Sequence, residues 1–198
     1  MSRYAPGHRE ETRGRMIDAL GRGFRRRGYG GIGVDALAKE ADVTSGAFYG
    51  HFKSKEDAFD EVVAAGIGRL TTTIVALREA HGPKWIDVYV DRYLGEKRTC
   101  DLGESCALQS LSAEVGRSDA RIKSTYQREI TGVAQSVADG FAGGSSKERL
   151  DRAWAFLAIL SGGVTMARAV ADKAISDSIV KGARMAAMLV SRGTDATG

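Results

Sequence analysis

The chain has 198 residues, 43% of them apolar and 27% charged, with two prolines (Pro6 and Pro83) and two cysteines (Cys100 and Cys106). That length suits one or two domains with a sizeable core, and no run approaches the ~18 apolar residues of a membrane span. The first residues hold no apolar signal segment, so a cytoplasmic location is expected, and two thiols make no disulfide framework and are expected to be reduced. The net charge of +4 is uneven: residues 1–55 hold 11 Lys and Arg against 6 Asp and Glu, and the remainder 18 against 19. A basic first quarter on a near-neutral body points to a polyanion as the partner of the N-terminal part.

From about Glu10 to Arg27, the apolar residues Ile17, Leu20 and Phe24 recur at helical spacing, with Met16 and Ala19 widening the stripe. Gly28-Tyr29-Gly30-Gly31-Ile32-Gly33 ends this helix, because each Gly costs ~1 kcal/mol there. The same glycines match the dinucleotide fingerprint, but a helix precedes them and no βαβ unit surrounds them. They are read as a turn, and no cofactor is expected. Val34, Leu37, Ala38 and Ala41 fall at i, i+3, i+4 and i+7 and predict a second helix, ended by Asp42-Val43 because Asp tolerates the left-handed conformation of a tight turn. Thr44 or Ser45 can cap a short third helix that reaches Phe52. Ser54, with Asp57 three residues on, opens a long helix carrying Phe59, Val62 and Val63. Helices are expected at roughly 55–80, 84–97, 105–115, 118–140, 147–171 and 176–192, with breaks at Gly82-Pro83, at 143–146 and at 193–198. No segment alternates with period two, so the fold class is all-α.

Two short helices joined by a turn of about three residues describe a helix-turn-helix. Gly46 and Ala47 let the backbone of the second helix approach base edges, while Phe48 and Phe52 face the core. Tyr49 and His51 lie on the outer side, where phenol and imidazole can donate to phosphate oxygens. Lys53 and Lys55 follow, placed to neutralise phosphates. The run from Val34 to Glu56, with its core Phe48-Tyr49-Gly50-His51-Phe52-Lys53-Ser54-Lys55-Glu56, resembles the DNA-binding signature of TetR family regulators. The resemblance implies that Ser45, Gly46 and Ala47 approach bases, that Tyr49 and His51 bind the backbone and that Lys55 anchors a phosphate; Thr44 joins this set at the head of the helix. Asp42 stands where that family usually has glycine, and Gly50 where a larger residue often meets DNA. The expected division is a DNA-binding domain at 1–55 and a ligand-binding and dimerisation domain at 56–198.

Arg25-Arg26-Arg27 can track DNA, or can sit at a helix C-terminus where cations favour the macrodipole. His8 and His81 are isolated, no metal site is visible and no nucleophile constellation can be assigned, so an enzyme finds no foothold. The segment from Glu104 to Glu114 resembles a Cys-containing helix of one TetR subset, which implies that Cys106 senses electrophiles or oxidants; the plainer alternative is a small buried hydrophobe. Arg98 is the nearest cation in sequence.

Near the C-terminus, Leu157, Leu160, Val164 and Met166 precede a stripe of Ile179, Ala183, Ala186, Met188 and Val190. In the family this region makes a four-helix bundle between subunits, which implies a C2 homodimer placing two recognition helices ~34 Å apart on a pseudo-palindromic operator. Trp85, Tyr89, Tyr93, Cys106, Gln109, Tyr126 and Trp154 are candidates for an apolar ligand pocket with polar handles, and for any one of them taken singly ordinary core packing is the better explanation. The expected function is a transcriptional regulator, a repressor by family resemblance, released from DNA by a small molecule of unknown identity. A helical adaptor that binds no DNA is the rival.

Overall fold

The helical periodicities fold as nine α-helices among residues 6–192, the part of the chain that the computed structural model describes. In chain order these are α1 (Pro6–Arg27), α2 (Val34–Glu40), α3 (Ser45–His51), α4 (Lys55–His81), α5 (Trp85–Thr99), α6 (Ala107–Gly116), α7 (Ala120–Ala138), α8 (Ser146–Ala169) and α9 (Lys173–Arg192). Short 3₁₀ turns at Gly82–Lys84 and Leu102–Glu104 precede α5 and α6. No strand occurs among the described residues, and the fold is the all-α one that the periodicity predicts. The break expected at 193–198 and the side chain of His8 lie outside the described residues.

The chain packs as two compact units, one of residues up to Gly66 together with Asp101–Tyr126, the other of Ile67–Cys100 together with residues from Gln127 onward. These borders do not coincide with the division expected at 55/56. The packing border falls elsewhere because the start of α4, α6 and the start of α7 supply part of the first unit's core.

In the first unit, α1 starts about a turn earlier than expected, with Pro6 at its first position, where a missing N–H costs nothing. It ends at Gly28, whose φ of 71° only glycine adopts freely and whose N–H donates to the Phe24 carbonyl at 2.8 Å. Leu20, Phe24, Leu37, Phe48, Phe59, Leu111 and Ile122 are all buried, each worth about 1.5–3 kcal/mol of transfer free energy. The Phe24 and Phe59 rings meet edge to face at 5.0 Å, and Tyr29 closes on Phe59 at 4.9 Å. This cluster fixes where α1 and α4 hold the short helices between them.

In the second unit, α8 opens on a capping box: the Ser145 hydroxyl accepts from the Glu148 N–H, and the Glu148 carboxylate accepts from the Ser145 N–H at 2.7 Å. Glu148 is held below the usual carboxylate range by that Ser145 N–H and by the Ser145 hydroxyl, which donates to the same carboxylate oxygen at 2.8 Å. α8 and α9 pack so closely that a Cβ on Gly163 would lie 2.6 Å from Ala183 Cβ. The Arg152 guanidinium reaches the carbonyls of Ala142 and Gly143, both at 2.7 Å, and of Ser191 at 3.1 Å, tying the loop before α8 to the end of α9.

Candidate nucleic-acid interface

The turn between α2 and α3 is built without glycine. Asp42 takes φ 54°, its N–H donating to the Lys39 carbonyl at 3.1 Å, and the Val43 N–H reaches the Ala38 carbonyl at 2.9 Å. A short polar side chain makes that left-handed residue tolerable, so the departure at Asp42 leaves the turn intact. Thr44 is the N-cap of α3: its Oγ1 accepts from the Ala47 N–H at 3.1 Å, satisfying one orphan donor of the helix end. Phe48 and Phe52 are buried, in ring contact at 5.2 Å, and they anchor α3 from one side. Because side chains three and four apart share a helix face, this anchoring turns Gly46, Ala47, Tyr49 and Gly50 outward; all four are exposed, Tyr49 at 57%. His51 is half-buried beside Phe52.

Ser45, half-buried at the first position of α3, donates its hydroxyl proton to Asp35 Oδ1 at 2.6 Å. Lys53 is exposed, and its backbone N–H donates to Asp57 Oδ2 at 3.0 Å while the Asp57 N–H donates to Ser54 Oγ at 3.1 Å. This reciprocal pair starts α4 where the sequence places it. Lys55, at the first position of α4, holds its Nζ 4.4 Å from the centre of the Tyr29 ring. Tyr29 was invisible to sequence reasoning as a functional neighbour, since it lies in a glycine-rich turn with no helical spacing to Lys55.

The arginine run divides. The Arg25 Nε donates to the Gly103 carbonyl at 2.7 Å, and Arg26 bridges Glu40 and Asp101, the latter at 2.8 Å. The Asp101 hydrogen bond raises the Arg26 pKa. Two of the three cations therefore hold the first unit together, and Arg27 is exposed. Arg13 pairs with Glu61 at 2.5 Å and lies over the Phe52 ring at 5.0 Å; burial raises the Glu61 pKa, with Arg13 opposing it.

The ligand candidates fall in both units. Trp85, Tyr89 and Tyr93 form a buried row on α5, with centroids 6.4 and 5.6 Å apart. Trp154, on α8, is 38% exposed, and no ring contact among the described residues joins it to that row. A surface cleft of about 570 Å³ is bordered by Val75, Arg78, Trp85, Asp139 and Phe141; of the seven candidates it takes in Trp85. In the first unit the Tyr126 hydroxyl meets Ser112 Oγ at 2.8 Å, and burial raises its pKa, with the Ser112 bond opposing and Cys106 adding to the rise. Gln109 Oε1 accepts from Ser110 at 3.1 Å. Cys106 is buried, and it is the N-cap of α6 rather than a residue within that helix, because Ser105 and Cys106 are extended after the 3₁₀ turn. Arg98 pairs with Asp177 at 2.6 Å, and the cation near a thiol is Arg168, whose Nη1 lies 3.8 Å from Cys100 Sγ. Among the described residues no group of three or more His, Cys, Asp or Glu could hold a metal ion, and no helix is long and apolar enough to cross a membrane.

Two short helices, α2 and α3, joined by the four residues 41–44, with α3 buried on one face, make a helix-turn-helix. Residues 17–62 match the family model described as bacterial regulatory proteins, tetR family. It is 39% identical over 62 residues to the HTH-type transcriptional regulator AcrR of Shigella flexneri, a match that covers 31% of this chain and 29% of that protein. SrpR of Pseudomonas putida is 38% identical over 65 residues, covering 33% and 30%. The chain thus spans less than a third of the length of these curated relatives. The whole fold resembles the reduced form of E. coli NemR, with TM-score 0.71 and 19% identity over 87% of this chain and 95% of that one. A TetR family regulator from Cytophaga hutchinsonii gives TM-score 0.74 and 17% identity over 94% and 97%. At these identities the likeness is one of fold.

Proposed function

We propose that the chain is a sequence-specific DNA-binding transcriptional regulator, a repressor released from its operator by a small molecule. The observation that carries this is α3 itself: buried on Phe48 and Phe52, it turns Gly46 and Ala47 outward with no bulky side chain to keep the backbone from base edges. In this reading Ser45, Gly46 and Ala47 meet bases, Thr44, Tyr49 and His51 meet the sugar-phosphate backbone, and Lys55 neutralises a phosphate. Thr44 spends a lone pair on its cap and keeps its proton for a phosphate oxygen.

The regulator acts in the cytoplasm as a homodimer on a pseudo-palindromic operator. Support for dimerisation comes from α9, where Met185 and Leu189, one turn apart, are each 72% exposed. Exposed large apolar side chains on one helix face are costly unless a partner covers them. The residues after 55 hold the ligand, and Trp85, Tyr89 and Tyr93 are its best-grouped candidates, with Cys106, Gln109, Tyr126 and Trp154 retained as weaker ones. A ligand that prefers the conformation with misplaced recognition helices lowers DNA affinity by its differential affinity for the two states. Binding-site selection from random DNA tests the proposal: a two-fold symmetric motif supports it, and no enriched sequence overturns it.

A further inference from the structure

We propose that Asp35 sets the polarity with which Ser45 reads DNA, so that the operator base facing Ser45 presents an exocyclic amine, adenine N6 or cytosine N4, and not a guanine or thymine carbonyl. The inference rests on the DNA-binding reading above and adds to it the chemical class of one base contact and a specificity-determining residue outside α3. A serine hydroxyl has one proton and two lone pairs. The Ser45 proton is committed to Asp35 Oδ1 at 2.6 Å, the length of a bond from a hydroxyl to a carboxylate. What Ser45 offers outward is therefore acceptance alone. In the major groove the donors are the amines of adenine and cytosine, whereas guanine O6 and N7 and thymine O4 are acceptors that an acceptor cannot satisfy.

Two features of the surroundings reinforce the polarity. Asp35 is itself exposed, so its negative charge favours base amines and repels base carbonyls and phosphates. The residues that follow Ser45, Gly46 and Ala47, carry no polar side chain that could compete for the same base. The adjacent hydroxyl has the opposite capacity: Thr44 accepts from the Ala47 N–H and keeps its proton. Two neighbouring hydroxyls thus divide the work, Thr44 donating to phosphate and Ser45 accepting from a base. Asp35 also lies in the first turn of α2, where a carboxylate favours the helix dipole, and the experiment must separate that role from the one proposed.

Binding sites are selected from random DNA with the purified full chain as wild type, Ser45→Ala, Asp35→Ala and Asp35→Asn, each first checked for helical content and melting temperature. Ser45→Ala identifies the position that Ser45 reads. The proposal expects adenine or cytosine there in the wild type. It expects either Asp35 variant to relax that one preference toward guanine or thymine by roughly tenfold, and Asp35→Ala to add no change at that position in a Ser45→Ala background. Asp35→Asn keeps the shape of the side chain and supplies an amide that can donate to Ser45, freeing the serine proton. If both Asp35 variants keep the wild-type preference at every position and only shift affinity uniformly, Asp35 acts through charge or through α2 and the proposal is overturned. A wild type that selects guanine or thymine at the Ser45 position also overturns it, while the DNA-binding reading stands. A wild type that enriches no sequence overturns both.

Discussion

Replacing Lys55 with alanine isolates the electrostatic part of DNA binding. Lys55 heads α4, half-buried, with its ammonium 4.4 Å from the Tyr29 ring. Losing that contact costs about 0.5–1 kcal/mol of stability at a site of this exposure, far too little to unfold the chain. On B-form DNA each neutralised phosphate contributes about 0.9 to the slope of log K against log salt. A homodimer loses two such contacts, so the slope becomes shallower by about 1.8. Between about 50 and about 200 mM salt, a fourfold change, the affinity deficit of the variant shrinks roughly twelvefold. Fluorescence anisotropy on an operator fragment and on a scrambled fragment reads both effects. An unchanged slope, or a change in base preference without a change in slope, refutes phosphate neutralisation by Lys55.

Further outcomes follow from other parts of the molecule. Leu189→Glu places a charge on the most exposed apolar face of α9 and is expected to yield monomers at micromolar concentration in ultracentrifugation where the wild type is dimeric; a monomeric wild type contradicts the homodimer. Gly163→Ala puts a Cβ 2.6 Å from Ala183 Cβ, and overpacking of this kind costs about 1–3 kcal/mol, so thermal unfolding should show a melting point lower by several degrees, and an unchanged one refutes the close approach of α8 and α9. Tyr126→Phe removes the bond to Ser112 at 2.8 Å and about 1 kcal/mol with it. Burial raises the Tyr126 pKa, so the folded state binds that proton more tightly and the contribution is present below the ordinary tyrosine value and lost as pH rises through the raised one. Stability of the variant should fall less steeply at alkaline pH, and an equally steep fall contradicts the assignment.

The helix-turn-helix was legible because its signals are local. Leu37 and Ala38 on one face of α2, Asp42 at the turn, Thr44 at the cap and Phe48 and Phe52 four residues apart all act within a few residues of each other. What was illegible depends on partners distant in sequence. Nothing near Arg25 and Arg26 reveals that Gly103 and Asp101 receive them, so two members of a run that reads as a basic stripe are tied to distant parts of the first unit. Ser45 reads as a helix start with a hydroxyl, and only the packing of α2 against α3 gives its proton to Asp35. Cys106 falls at the head of α6 because the turn at Leu102–Glu104, held by the Asp101 carboxylate accepting from the Gly103 N–H at 2.8 Å, delays the helix by two residues. Aromatic composition cannot tell a buried row from an exposed ring, so it does not separate Trp154 from Trp85, Tyr89 and Tyr93.

The most direct test of the central claim is anisotropy binding of the purified full chain to the intergenic DNA beside its own gene, over a salt series and against scrambled competitor. Binding that resists competitor, and weakens with salt without vanishing at physiological strength, is the predicted result. Binding that is weak, indifferent to sequence and abolished by salt contradicts a sequence-specific regulator and leaves a helical protein whose basic N-terminal quarter serves some other polyanion.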